Sequence, residues 1–362
     1  MSFSASEKLG IARLLLEELH IPRIEIASAR VSDGEFDAVR VVCDWAKRMG
    51  HIDKIEVLGF LDNGLSIEWV KNVGAKVINL LSKGSEKHCL YQLKQTPEQH
   101  IETIIKNVED AVAAGLTVNL YLEDWSNGMK NSYNYVYKLM DALRHLPIKR
   151  FMLPDTLGVL NPYDTLAHVQ RMIKRYPELH FDFHAHNDYD LATSNVYAAV
   201  LGGARGVHCT VNGLGERAGN ACLSSVVALI HDQLSRETGV DETKINKVSR
   251  IVESFSGVII PQNKPIVGES VFTQCAGIHA DGDNKNNLYY NDLLPERFGR
   301  EREYALGKTS GKANIKKNLE ALGIEWFNNG FNLEDASDSY LRSPYFRQGF
   351  EKAKEQASKK TL

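Results

Sequence analysis

The run FDFHAHNDYD over residues 181–190 sets two histidines one residue apart and follows them at once with an amide and two acids. On a strand, the two-residue side-chain period sends His184 and His186 to the same side, which is how two imidazoles reach one metal ion. A pair of hydrogen-bonded structural histidines fits the same spacing, and at this point both readings stand. A catalytic divalent ion takes about three protein ligands and keeps a position open for substrate. A carboxylate from another strand end is therefore expected beside the two rings, with Asn187 and Asp188 placed to support them. In TVNLYLEDW (117–125) Tyr121 and Glu123 share a face, making Glu123 a candidate acid or base, although an acid at a strand end equally caps the helix that follows. Asp155 and Thr156 close another apolar run in LPDT, where structural and substrate-positioning roles go together. The segment NGLGERAGN (212–220) contains Asn212, Gly213, Gly215, Glu216, Gly219 and Asn220 and runs into an apolar stretch. Such a loop holds an anion on backbone N–H groups or simply makes a tight turn.

These residues need strands to carry them, and the sequence supplies seven short apolar runs, at 21–28, 55–60, 75–81, 117–125, 148–156, 179–188 and 206–213. Amphipathic stretches lie between them, among them DGEFDAVRVVCDWAKRMG, PEQHIETIIKNVEDAVAAG and NPYDTLAHVQRMIKRYP. A repeating strand-then-helix order implies a parallel sheet. The expected fold is α/β, a (β/α)8 TIM barrel whose active site sits at the C-terminal ends of its strands. The chain opens directly on a helical stretch, SASEKLGIARLLLEELH, capped by Ser4 or Ser6, so the barrel lacks its first strand. Seven strands do not close with this geometry, and two edges stay exposed. The expected organisation is an incomplete barrel over 1–232, a linker and helix over 233–257, a small mixed C-terminal subdomain covering an active site over 258–324, and a divergent tail over 325–362.

Of the 362 residues 43% are hydrophobic and 25% charged, with a net charge of −3. That is the balance of a soluble globular protein without the basic stripe that nucleic acid requires. The five cysteines are odd in number, widely spaced and never in CxxC, which argues against a disulfide framework or zinc knuckle and for a reducing, cytoplasmic setting. No run approaches the ~18 apolar residues of a membrane span, and the first helix is acidic and amphipathic rather than a signal peptide.

HAHND and NGLGERAGN, in that order, resemble the joint signature of the metal-dependent barrel family of isopropylmalate, homocitrate and citramalate synthases, which condense acetyl-CoA with an α-keto acid. The similarity runs from residue 2 to about 324 and takes in VFTQCAGIHADGD (271–283), LPERFGR (294–300) and YALGKTSGK (304–312). IEIASARVS, EVLGF, YLEDWSNG and HADGD are most similar to the citramalate-forming members. The resemblance implies that His184 and His186 bind a divalent metal, with Mn, Zn, Mg and Co not distinguished, that Glu123 assists acid–base chemistry, and that Thr156 contacts the keto-acid carboxylate. It implies that Leu58, Leu81 and Tyr121 wall a pocket sized for pyruvate; segment 212–220 is expected to serve acetyl-CoA or to be a loop only. It also implies a homodimer in which His279 and Tyr289 of the small subdomain reach an active site, commonly the partner subunit's. The expected reaction joins pyruvate and acetyl-CoA to give (R)-citramalate on the way to isoleucine. Formation of 2-isopropylmalate for leucine is the alternative, and a metal-dependent C–C lyase or aldolase, or an inactive fragment, are the readings from other classes. The family's first strand carries an Arg-Asp-Gly-Glu motif that nothing here matches, and its C-terminal regulatory domain is also unmatched. A truncated start is therefore expected, with little or no synthase activity in the chain as given.

Overall fold

The computed structural model describes residues 2–283, 285–307, 310–322 and 351, and the chain divides into two units, Met1–Ile260 and Pro261–Leu362. In the first unit each of the seven apolar runs forms a strand: β1 (Ile24–Ser28), β2 (Ile55–Phe60), β3 (Val77–Lys83), β4 (Thr117–Glu123), β5 (Ile148–Asp155), β6 (Phe181–Ala185) and β7 (Gly206–His208). They lie side by side in chain order, every neighbouring pair parallel. The helices are α1 (Ala5–Arg13), α2 (Asp33–Arg48), α3 (Leu65–Asn72), α4 (Pro97–Ala113), α5 (Trp125–Asn131), α6 (Tyr133–Leu143), α7 (Pro162–Arg175), α8 (Ala192–Leu201), α9 (Leu223–Leu234) and α10 (Ile245–Ser256). Side chains reach across the inside of the sheet, from Arg23 just before β1 to Asp182 in β6 and from Tyr121 in β4 to His208 in β7. The sheet is therefore curled into an incomplete TIM barrel, with β1 and β7 as its edges.

Helix starts follow capping chemistry. Of the two serines expected to cap the first helix, Ser4 does so, exchanging hydrogen bonds with Glu7 in a capping box. Thr96 and Gln99 do the same for α4, with Pro97 in its first turn. The long first helix expected through His20 is not uniform, since α1 gives way to a π-helical turn at Leu14–Glu18. Four strands, β4 to β7, also stop earlier than their apolar runs. β4 ends at Glu123 because Asp124 turns left-handed at φ 62°, and beyond β7 Asn212 does the same at φ 58°.

Alternation along the strands separates two environments. Val57, Ile78, Leu80, Val118, Leu120, Phe151, Leu153, Phe181 and Phe183 are buried and belong to the apolar core. The opposite face carries Glu56, Asn79, Asn119 and Asp182, also buried, and they bond across the interior. Asn79 donates to Glu25 at 2.6 Å and to Glu56 at 3.0 Å, Asn119 donates to Asn79 at 2.8 Å, and Arg150 reaches Glu56 at 3.3 Å. Burial alone would raise the Asp182 pKa, but hydrogen bonds from His180 and His208 and the nearby positive charges outweigh it and hold the carboxyl well below the usual range. Barrel interiors are commonly filled with branched aliphatic side chains; this one has an ionic floor.

The second unit contains β8 (Thr273–Gln274), α11 (Gly277–Asp283), β9 (Glu303–Tyr304) and α12 (Lys312–Ala321), with β8 and β9 parallel. The Tyr304 hydroxyl donates to Asp283 at 3.0 Å. The divergent tail over 325–362 lies outside the described residues except for position 351. All five cysteines are free thiols, and among the described residues no helix is long and apolar enough to cross a membrane.

The end of β3 and helix α5 meet through two glycines. A Cβ on Gly128 would overlap the Gly84 carbonyl, and one on Gly84 would overlap the Leu122 carbonyl. Gly128→Ala must push α5 off the strand ends and should destabilise the protein by about 1–3 kcal/mol, the usual cost of overpacking. Urea denaturation reads this, and an unchanged midpoint would show that the contact is slack.

Candidate active site

His184 stands opposite Pro154 of β5 and His208 of β7, and its ring centroid is 5.0 Å from that of His186. The Nδ1 atom of each ring is buried without a hydrogen-bond partner. Burial lowers both pKa values, His184 well below the ordinary range and His186 with help from the Arg217 charge, so both rings are neutral imidazoles with a lone pair to give. An antiparallel bridge joins the backbones of His186 and Asn220. The Asn220 amide nitrogen donates to the Leu214 carbonyl at 3.0 Å, which leaves its Oδ1 buried and unpartnered. Loop 212–220 closes tightly on this amide, because any Cβ at Gly215 would overlap it. Two imidazole nitrogens and an amide oxygen form a donor set that suits a divalent cation. Among the described residues no group of three or more His, Cys, Asp or Glu side chains is arranged to hold a metal, so the expected carboxylate ligand is not found there. Asn220, read from sequence only as part of an anion loop, has its backbone bridged to that of His186 and its side-chain oxygen buried and unpartnered.

Hydrogen bonds tie the rim together. Arg217 grips both oxygens of Asp188, at 2.8 and 2.9 Å, and also donates to the Thr156 carbonyl at 2.8 Å. The Asn187 N–H donates to the Gly219 carbonyl at 2.9 Å. The Asn212 amide is spent on helix α10, donating to the Ser249 carbonyl at 3.0 Å, while Glu216 points to solvent. Asp155 is buried and accepts the Val159 and Leu160 N–H groups at 2.9 and 3.0 Å, so it organises the turn into α7. The Thr156 hydroxyl accepts the Asp124 N–H at 2.8 Å and keeps its own proton to donate.

Glu123 has a partner that the sequence did not announce. Lys83, its register neighbour at the end of β3, is buried and forms an ion pair with it. The only local signal was a lysine two residues past the apolar run at 75–81. The Lys83 N–H donates to His100 Nε2 at 3.1 Å and its carbonyl accepts the Tyr135 hydroxyl at 3.0 Å, fixing this strand end. Leu81 and Tyr121 are register partners on the same inner face, and Leu58 stands opposite the inward Asn79. All three are half-buried. In the second unit His279 and Tyr289 come together with ring centroids 4.3 Å apart, and His279 Nδ1 lies 3.0 Å from the Gln274 side-chain oxygen.

Residues 1–252 match the HMGL-like family model, and residues 266–333 match the homocitrate synthase post-HMGL domain-like model. The chain belongs to the HMGL-like family. Within it the chain falls in the branch of isopropylmalate, homocitrate and citramalate synthases. It is 35% identical over 327 residues to the (R)-citramalate synthase of Methanocaldococcus jannaschii, covering 90% of this chain and 64% of that relative. It is also 35% identical over 325 residues to the 2-isopropylmalate synthase of Sulfurisphaera tokodaii, covering 90% of this chain and 82% of the relative. The chain thus spans less than two thirds of the length of some relatives it matches, 62% and 64% in two cases. The Bacillus subtilis HMG-CoA lyase structure superposes with a TM-score of 0.59 at 19% identity, over 74% of this chain and 91% of that one, which establishes the shared fold.

Two predictions come from this geometry. His184→Ala and His186→Ala should each abolish stoichiometric binding of Mn or Co in equilibrium dialysis. Arg217→Ala, which keeps all three donors but frees their loop, should weaken it about 10–100-fold; full occupancy in either histidine variant would remove the metal from this site. The other concerns pH. Burial, then the Lys83 charge, lowers the His100 pKa to about 4, so the unfolded chain takes up the proton first. Stability from this group is intact above pH ~6.5 and is lost as pH falls toward 4, by about 3 kcal/mol. In urea melts at pH 7.5 and 4, the wild type should lose that much more than His100→Gln, which cannot titrate; equal losses would place His100 in contact with solvent.

Proposed function

We propose that, despite the unmatched Arg-Asp-Gly-Glu motif and the low activity expected from it, the donors His184, His186 and Asn220 suffice for this chain to condense acetyl-CoA with a small α-keto acid, with pyruvate as substrate and (R)-citramalate as product, in the cytoplasm and toward isoleucine. The observation that supports this reading is the unpartnered imidazole pair His184 and His186, bridged to Asn220, with the His184 ring 6.4 Å from the ring of Tyr121. The names of the relatives support the keto-acid class. A divalent ion held by the two imidazoles and the amide would supply Lewis-acid polarisation of the keto carbonyl. The protein's own groups do the rest. The free hydroxyl proton of Thr156 binds the keto-acid carboxylate, and the apolar wall admits a methyl group but collides with an isopropyl group. Glu123, held by Lys83, and His279, paired with Tyr289 and brought by a homodimer partner, carry the two proton transfers. One takes a proton from the acetyl methyl as the C–C bond forms, and the other protonates the keto oxygen, which becomes the product hydroxyl. Water then cleaves the thioester to release CoA and a carboxylate.

A second reading, condensation with 2-ketoisovalerate to 2-isopropylmalate, is favoured by relatives of that name whose length this chain covers more fully. A thiol-trapping assay of CoA release with each acid, with and without chelator, separates them. Pyruvate should exceed 2-ketoisovalerate by more than about tenfold in kcat/KM, since each surplus methylene in a pocket is worth about 1–3 kcal/mol. Equal rates would favour isopropylmalate formation, and no CoA release from either acid in the presence of metal would reject condensation by this chain.

A further inference from the structure

Alternation puts Asp182 on the same face of β6 as His184 and His186, yet its contacts lead away from both. One carboxylate oxygen accepts His180 Nε2 at 2.8 Å; the other takes the Arg23 guanidinium and, at 3.4 Å, His208 Nε2. A carboxylate paired with a guanidinium only accepts, so the His208 nitrogen facing it is the N–H. In a neutral ring the other nitrogen, Nδ1, then carries the lone pair. With the proton of the neutral ring on Nε2, the Tyr121 hydroxyl 3.1 Å from Nδ1 donates to it, the Glu25 carboxyl being the hydroxyl's other neighbour. The phenol is pinned at its far end, while its ring stands edge-on to His208 at 5.6 Å and 75° and to His184 at 6.4 Å and 87°. Asp182, His208 and Tyr121 thus form one oriented chain from β6 through β7 to β4.

We infer that His208, oriented by Asp182, is a specificity-determining residue, which locks Tyr121 so that the pocket wall cannot swing aside for a keto acid larger than pyruvate. The inference rests on the reading of Tyr121 as a wall of the keto-acid pocket. A tyrosine without its anchor can rotate out of the way, and a wall that rotates discriminates poorly. His208 itself does not touch the substrate; it acts through Tyr121.

The test compares kcat/KM for pyruvate, 2-ketobutyrate and 2-ketoisovalerate in the full chain, in Tyr121→Phe, in His208→Ala and in the double variant. The preference for pyruvate over 2-ketobutyrate should fall about tenfold in each single variant, the scale of one methylene in a pocket, mainly through a gain on the larger acid. The double variant should fall no further, because both changes break the same bond. An unchanged preference, or a uniform loss on all three acids as expected of a merely structural residue, overturns the inference. Tyr121→Phe keeps the ring and its packing, so the result does not hang on the folding of His208→Ala. Nitrogen-15 NMR of the imidazoles reads the lock without turnover: His208 should be the Nε2–H tautomer, and an Nδ1–H tautomer in the wild type overturns the lock. If the wild type turns over none of the three acids, the keto-acid reading fails on its own, and the tautomer still decides whether Tyr121 is anchored.

Discussion

The pairing of Asp182 with Arg23 is the interaction on which the inner face of the sheet depends. Asp182 is fully buried, and a carboxylate in that position without a partner would cost several kcal/mol. Arg23 sits at the entrance to β1 while Asp182 is in β6, so satisfying this charge draws one edge of the sheet toward the strand next to the other edge. Backbone pairing does not close the curve. Side chains do, with Arg23 also 3.5 Å from Glu56, and Glu56 in turn reached by Arg150 and Asn79.

One strand connects this floor to the mouth of the site. The two-residue period of β6 places Asp182, His184 and His186 in a column, so whatever fixes the register of Asp182 also fixes the height of the two imidazoles. The rim is organised separately, by Arg217 spanning Asp188 and Thr156 and by the loop that delivers Asn220. Burial of apolar surface on the outer face drives the assembly, and directional polar contacts on the inner face choose its geometry.

The outer face is also the part that could be read from the sequence. All seven strands showed as apolar runs because their outward residues pack on helices, and Ser4 announced a helix start by short-range capping chemistry. Strand ends were less legible, since Asp124 and Asn212 leave the strand conformation in a left-handed turn that no periodicity records. Least legible was the floor. Arg23 and Asp182 are 159 positions apart, His208 stood as a single histidine in an apolar run, and Lys83 as an ordinary strand-end cation. Each acquires its meaning from a partner on another strand. The HxH spacing put both imidazoles on one side of the chain, where their centroids lie 5.0 Å apart; the unpartnered amide oxygen of Asn220 was hidden because a glycine-rich loop explains its own composition.

An interior held by mutually dependent charges also limits how this chain can change over generations. Replacing either member of a buried pair strands the other, which costs about 3–5 kcal/mol, whereas replacing both by apolar residues of similar volume is often neutral or stabilising. Since whole domains are stable by only about 5–15 kcal/mol, single steps at Arg23, Glu56, Arg150 or Asp182 fall near the threshold of viability. These positions should drift in concert, as a group of co-varying sites, while the apolar face a few ångströms away accepts one conservative exchange at a time.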